Sequence, residues 1–163
     1  MNPGPSQFGL LEVIPEDETG RYSANMIRYG MKAPQDVYTS EYSFGMYFQL
    51  LAGQTKTQAM PVWSVGGAEN WVEVSNVGDG ESKVEFQLYD SQGSVLNVWN
   101  AKIPGRSTMH YNISSLLPDS STATVRLNPL RGEIIAQSLV YYRWLNGSIN
   151  SSLAMQSREP TNL

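Results

Sequence analysis

The chain has 163 residues, with 11 basic and 15 acidic side chains, a formal charge of −4, a single histidine and no cysteine. The missing cysteines exclude disulfide scaffolds, cysteine-based zinc sites and thiol catalysis. An acidic chain whose basic residues are scattered singly would repel a phosphate backbone, which argues against a nucleic-acid partner.

Charged residues make up 16% of the sequence, with Ser, Thr, Asn, Gln and Gly abundant. A surface solubilised by neutral polar groups suggests an extracellular, cell-surface or periplasmic setting. The longest apolar stretches, such as Ile134-Ile135-Ala136, fall far short of the ~20 residues that a membrane helix needs. Met1-Asn2-Pro3-Gly4-Pro5 has neither the basic start nor the apolar run of a signal peptide, and both ends read as linker, as in a piece of something longer.

In chain order, the first strand signals lie at 21–29, 43–50 and 57–63. The segment 70–76 places Val72 and Val74 on one face, and Gly78-Asp79-Gly80 then turns the chain. Val84-Glu85-Phe86-Gln87-Leu88 alternates with period two, as a half-buried strand should. Residues 89–93 supply a turn, because Asp90 and Ser91 bond locally and Gly93 accepts positive φ. The returning strand, 94–101, is read with Leu96 and Val98 on one face and Val95, Asn97 and Trp99 on the other. Strands follow at 108–113, 123–127 and 134–142, the last apolar almost throughout, as a strand covered on both faces would be. The one helical signal, 114–117, is stopped by Pro118. The class is all-β, and the 8–12-residue strand spacing predicts an antiparallel sandwich with Val84, Phe86, Leu88 and Val125 in its core.

A weak internal repeat bears on domain organisation. Residues 20–29 align with 132–141 at an offset of 112, and 46–49 with 153–156 at an offset of 107. Either strands of one fold look alike, or the early strands finish a preceding repeat. The expected division is a repeat tail or additional strands over 1–40, a sandwich module over 41–157 and a linker over 158–163.

Met60-Pro61-Val62-Trp63, Asn70-Trp71-Val72-Glu73-Val74-Ser75-Asn76, Tyr89-Asp90-Ser91-Gln92-Gly93, Ile103-Pro104-Gly105-Arg106-Ser107 and the apolar run 134–141 occur in this order. In that order the chain resembles the tandem Ig-like modules of large bacterial surface and secreted proteins. The resemblance spans roughly 58–143. It implies an Ig-like sandwich serving as stalk, adhesin or spacer beside neighbouring repeats or surface proteins, with no catalytic residue to carry over.

Residues able to carry chemistry are few. His110 alternates with Met109 and Tyr111 and is expected on the exposed side of its strand, with no triad partner nearby in sequence. Glu16, Asp17 and Glu18 are weak candidates for calcium, since three acids in a row are more often a solvated turn. No cofactor is implied. Trp63, Trp71 and Trp99 are expected to fill the space between two sheets. Trp144, beside Tyr142 and Asn146 at a strand end, could stack on a sugar ring. The expected function is therefore a non-catalytic structural or adhesive module. The alternatives are a carbohydrate-binding module using Trp144, Tyr142 and Asn146, or an accessory subdomain of a secreted hydrolase.

Overall fold

The computed structural model describes residues 13, 14, 16, 25–31, 42–49, 51–143, 145 and 149–160, with the path of the chain alone for 25–31, 42–49 and 149–150. Among the described residues ten strands follow one another. They are β1 (Asn25–Met31), β2 (Tyr42–Gln49), β3 (Gln58–Trp63), β4 (Glu69–Asn76), β5 (Ser82–Asp90), β6 (Val95–Ile103), β7 (Thr108–Asn112), β8 (Thr122–Arg131), β9 (Ile134–Arg143) and β10 (Ile149–Gln156). Single 3₁₀ turns stand at Val65–Gly67 and Ser114–Leu116, the second where the sequence places its one helical signal.

Two four-stranded antiparallel sheets face each other, one in the order β10-β9-β4-β7 and the other β3-β8-β5-β6, while β1 and β2 pair as a separate hairpin. The chain is thus an all-β antiparallel sandwich. The pairing of β4 with β7, and of β5 with both β8 and β6, follows the B–E and F–C–C′ neighbours of an Ig domain. The edges are exchanged. β3, the first strand of the sandwich, lies beside β8, and β9 lies beside β4, each on the sheet opposite to its Ig counterpart.

Period-two patterning places the core. Met60, Val62, Val72, Val74, Val84, Phe86, Leu88, Val125, Leu127, Ile134 and Ala136 all point between the sheets and are buried. β9 is covered on both faces, as its apolar run predicts, with Ala136 and Val140 inside and Leu139 buried on the outer side against Trp71, Tyr141 and Ala154.

The tryptophans correct the expectation that three of them fill the inter-sheet space. Only Trp99 joins the core cluster. Trp71 lies on the outer face of its sheet, and Trp63 takes the face of β3 opposite Met60 and Val62. On β6 a register shift between Leu88 and Tyr89 brings Val95 opposite Tyr89 and Asn97 opposite Leu88. Val95 therefore does not share a face with Asn97 and Trp99, because a bulge at Leu96 breaks the simple alternation.

The two hairpins that carry the internal repeat are built alike. Asn25 pairs with Gln49 and Gln137 with Gln156, and the 112 and 107 offsets map each successive β1–β2 pair onto a β9–β10 pair. The match extends through seven pairs and includes the irregularity, since Met31 skips to Tyr42 as Arg143 skips to Ile149. The boundary expected at 40/41 falls between β1 and β2, which pair with each other. β2 runs close along β10.

Two buried asparagines lock the turns. Asn70 donates to the carbonyls of Trp63 and Ala68 and accepts from the Trp63 N–H, closing the connection between β3 and β4. Asn76 donates to the carbonyls of Gly80 (2.7 Å), Ile103 (3.0 Å) and Pro104 (3.1 Å) and accepts from the Gly78 N–H. That side chain ties the β4–β5 turn to the β6–β7 turn. The two turns approach so closely that a Cβ on Gly105 would lie 1.8 Å from the Asp79 carbonyl oxygen, which only glycine permits.

At the opposite end of β4, Glu69 accepts from the Trp71 indole N–H (2.7 Å) and pairs with the Arg143 guanidinium at 2.5 Å. The Arg143 hydrogen bond holds the Glu69 carboxyl below its ordinary value near 4.5, against the opposing effect of burial and with help from Trp71. A folded-state pKa below the unfolded one contributes stability above pH 4.5, and that contribution fades as pH falls through the lowered value. Glu69→Gln should cost less than about 1 kcal/mol near neutrality, because Arg143 is largely solvated. It should also flatten the acid limb of the stability curve. Urea midpoints measured from neutral to acid pH check this, and an unchanged acid limb would count against the ion pair.

Candidate functional site

β6 and β7 are the edge strands of the two sheets on the same open side of the sandwich, and a cleft of about 350 Å³ lies between them. Its walls follow from the pleat. On β6, Asn97 and Trp99 point inward; on β7 and the following 3₁₀ turn, Tyr111, Ile113 and Leu116 do the same. Trp99 pairs across the ladder with Phe86, and their rings stack at 4.7 Å and 16°. Tyr111 meets the same Phe86 edge-on, at 5.0 Å and 61°. Burial pushes the Tyr111 phenol above its ordinary value near 10, so it stays neutral.

The rim is polar. Asn112 accepts the Ser114 N–H through Oδ1, which leaves its NH₂ as a donor. The Asn97 side chain makes no hydrogen bond among the described residues and keeps both donor and acceptor capacity. His110 closes one end. Its Nε2 lies 2.5 Å from Glu73 Oε2, and the other Glu73 oxygen accepts from Gln137 Nε2.

This placement corrects the expectation that His110 is exposed. Its side chain is 15% exposed and that of Glu73 7%, and Ser75, Gln137 and Leu139 are buried on the same outer face of the β10-β9-β4-β7 sheet. The β4–β7 register sets His110 directly opposite Glu73. A strictly alternating strand could not reveal this, since alternation says which residues share a face and not what covers it. The imidazole and the Trp71 indole meet edge-on, with ring centroids 6.5 Å apart.

Of the three residues of the sequence-derived sugar site, Tyr142 lies among the described residues. Tyr142 is half-buried and its hydroxyl accepts from the Trp63 indole N–H at 2.7 Å, so it fastens β9 to β3. Trp144 and Asn146 lie outside the described residues. Among the weak calcium candidates, Glu16 is exposed at a bend, and Asp17 and Glu18 lie outside the described residues. Among the described residues no group of three His, Asp or Glu side chains is arranged to hold a metal ion. No described helix is long and apolar enough to cross a membrane.

No family model matches the chain, and neither does any curated protein. Among solved structures, the chain resembles protein 1070 of Thermotoga maritima, with a TM-score of 0.54 at 10% identity over 65% of this chain and 95% of that one. It also resembles the Anabaena sensory rhodopsin transducer, with a TM-score of 0.41 at 20% identity over 53% of this chain and 96% of that one. At such identities the first likeness shows a shared all-β fold and nothing of function. The second is too distant to carry an argument.

Proposed function

We propose that this chain is a non-catalytic structural and adhesive module of a secreted or cell-surface protein, built as one unit of a tandem array with β1–β2 as the closing hairpin of the preceding unit. One observation carries the reading: β1–β2 reproduces β9–β10 pair for pair, irregularity included, at the offsets that the sequence repeat gives. Strands that are merely similar in composition have no reason to share both register and bulge position. The polar groups of the sandwich support the non-catalytic half of the reading. Asn70 and Asn76 are committed to turn carbonyls, Gln58 holds Ser157 and the Ile134 carbonyl, and Glu73 and Gln137 hold each other.

Limited proteolysis of the parent protein tests the array. Fragments whose ends, read by mass spectrometry, step by 107–112 residues and fall in segments equivalent to 50–57 are the expected result. A parent protein that yields a single unit of this kind, recovered from the cytosol, contradicts the proposal.

A second reading, recognition of carbohydrate, is favoured by the aromatic floor and amide rim of the β6–β7 cleft.

A further inference from the structure

We infer that the cleft between β6 and β7 binds the pyranose ring of a neutral glycan, with Trp99 as the stacking platform and Asn97 and Asn112 as the groups that read its hydroxyls. The inference gives the adhesive reading above a ligand class and rests on it.

The argument begins with Trp99. Phe86 occupies one indole face, and β6 is the last strand of its sheet among the described residues. Trp99 is among the residues that line the cleft. A sugar ring presents an apolar C–H face to such a plane and a belt of hydroxyls around its edge. The cleft supplies the complement of both: Trp99 and Tyr111 as aromatic groups, with the amides of Asn97 and Asn112 among its lining.

The amides come from different sheets, Asn97 from β6 and Asn112 from β7. A ring seated on Trp99 would meet Asn97 on the same wall and Asn112 at the rim of the facing edge strand. Asn97 can donate and accept, and Asn112 donates through its NH₂. A half-buried amide with unmet hydrogen-bonding capacity, beside an aromatic plane, is the kind of polar group that orients a ligand in an otherwise apolar pocket. The volume, about 350 Å³, lies at the small end for ligand pockets and suits one end or one unit of a chain rather than a long polymer.

Charge selects among sugars. Among the described residues no lysine or arginine lines the cleft, and His110, the ionisable base there, already lies against Glu73. Uronates, sialosides and phosphorylated sugars would therefore find no cation and would meet the field of an acidic chain. Neutral pyranosides carry no such penalty.

The test titrates the intact chain with cellotetraose, chitotetraose and mannotetraose, with tetragalacturonate as the anionic comparison, read by calorimetry and by NMR of the tryptophan indole N–H groups. Saturable binding of at least one neutral tetrasaccharide, with the Trp99 indole resonance moving and tetragalacturonate silent, is the expected result. Asn97→Ala removes a group with no role in the fold among the described residues and should weaken binding about three- to tenfold without moving the melting temperature. Trp99→Phe, which keeps a ring against Phe86, should weaken it further.

Binding unaffected by both variants, or with tetragalacturonate preferred, would overturn the assignment. Silence across the neutral panel would overturn it as well. If the chain were silent towards sugars yet still bound cell surfaces, the adhesive reading would survive and the ligand class alone would fall.

Discussion

Phe86→Ala is expected to destabilise the chain by about 3–5 kcal/mol, measured as a fall in the urea midpoint followed by far-ultraviolet circular dichroism. Phe86 is fully buried at the point where the two sheets and the cleft meet, with Trp99 stacked on it and Tyr111 against its edge. Truncation removes a whole ring from the centre of β5 and leaves a cavity that two neighbouring aromatics cannot fill without leaving their own positions. Phe86→Leu keeps most of the volume and should cost clearly less. A near-neutral Phe86→Ala would mean that β5 does not present this face to the core.

Asn76→Ala is the second large effect, expected at about 3–4 kcal/mol. The side chain volume is small, so the loss is not one of packing. Its removal leaves the carbonyls of Gly80, Ile103 and Pro104 and the N–H of Gly78 without their partner in a region where two turns touch. Asn76→Asp sharpens the test. A carboxylate could still accept from Gly78, but it would face three carbonyl oxygens with no proton to offer, and should be at least as damaging as alanine. A well-tolerated aspartate would show that the carbonyls are held some other way.

Much of the fold can be read from alternation. Val84-Glu85-Phe86-Gln87-Leu88 announces both a strand and its buried face, and Asp90 and Gly93 announce the turn, where Asp90 Oδ1 accepts the N–H groups of Gln92 and Ser94 at 2.8 Å and Gly93 takes φ of 84°. Partner choice is not written locally. Nothing in the sequence of β3 or β9 says that they exchange sheets relative to an Ig domain, because edge placement depends on which sheet each strand meets first in three dimensions. Trp71 and Trp63 look like core residues by size alone. They fall on the strand faces opposite the core residues, where Glu69 and Tyr142 give each indole N–H a partner.

The site was less legible than the fold. Trp99 was visible as an inward residue of β6, but its role as a wall depends on β6 and β7 both being edges of the same opening, a property of topology rather than of spacing. The Glu73–His110 pair shows the same limit. Thirty-seven positions separate the two residues, and only the β4–β7 register brings them together. The repeat is the converse case. A faint likeness between 20–29 and 132–141 gained weight once the pairing of the two hairpins coincided residue by residue.

Amide hydrogen exchange on the intact chain tests the central claim, that the working surface is an open edge between β6 and β7 of a closed sandwich, most directly. The account predicts slow exchange throughout β4, β5, β8 and β9, which have strands on both sides, and fast exchange at the alternate amides of β6 that turn away from β5. Uniform protection along β6 would show that edge to be paired and the cleft closed, and would contradict the account.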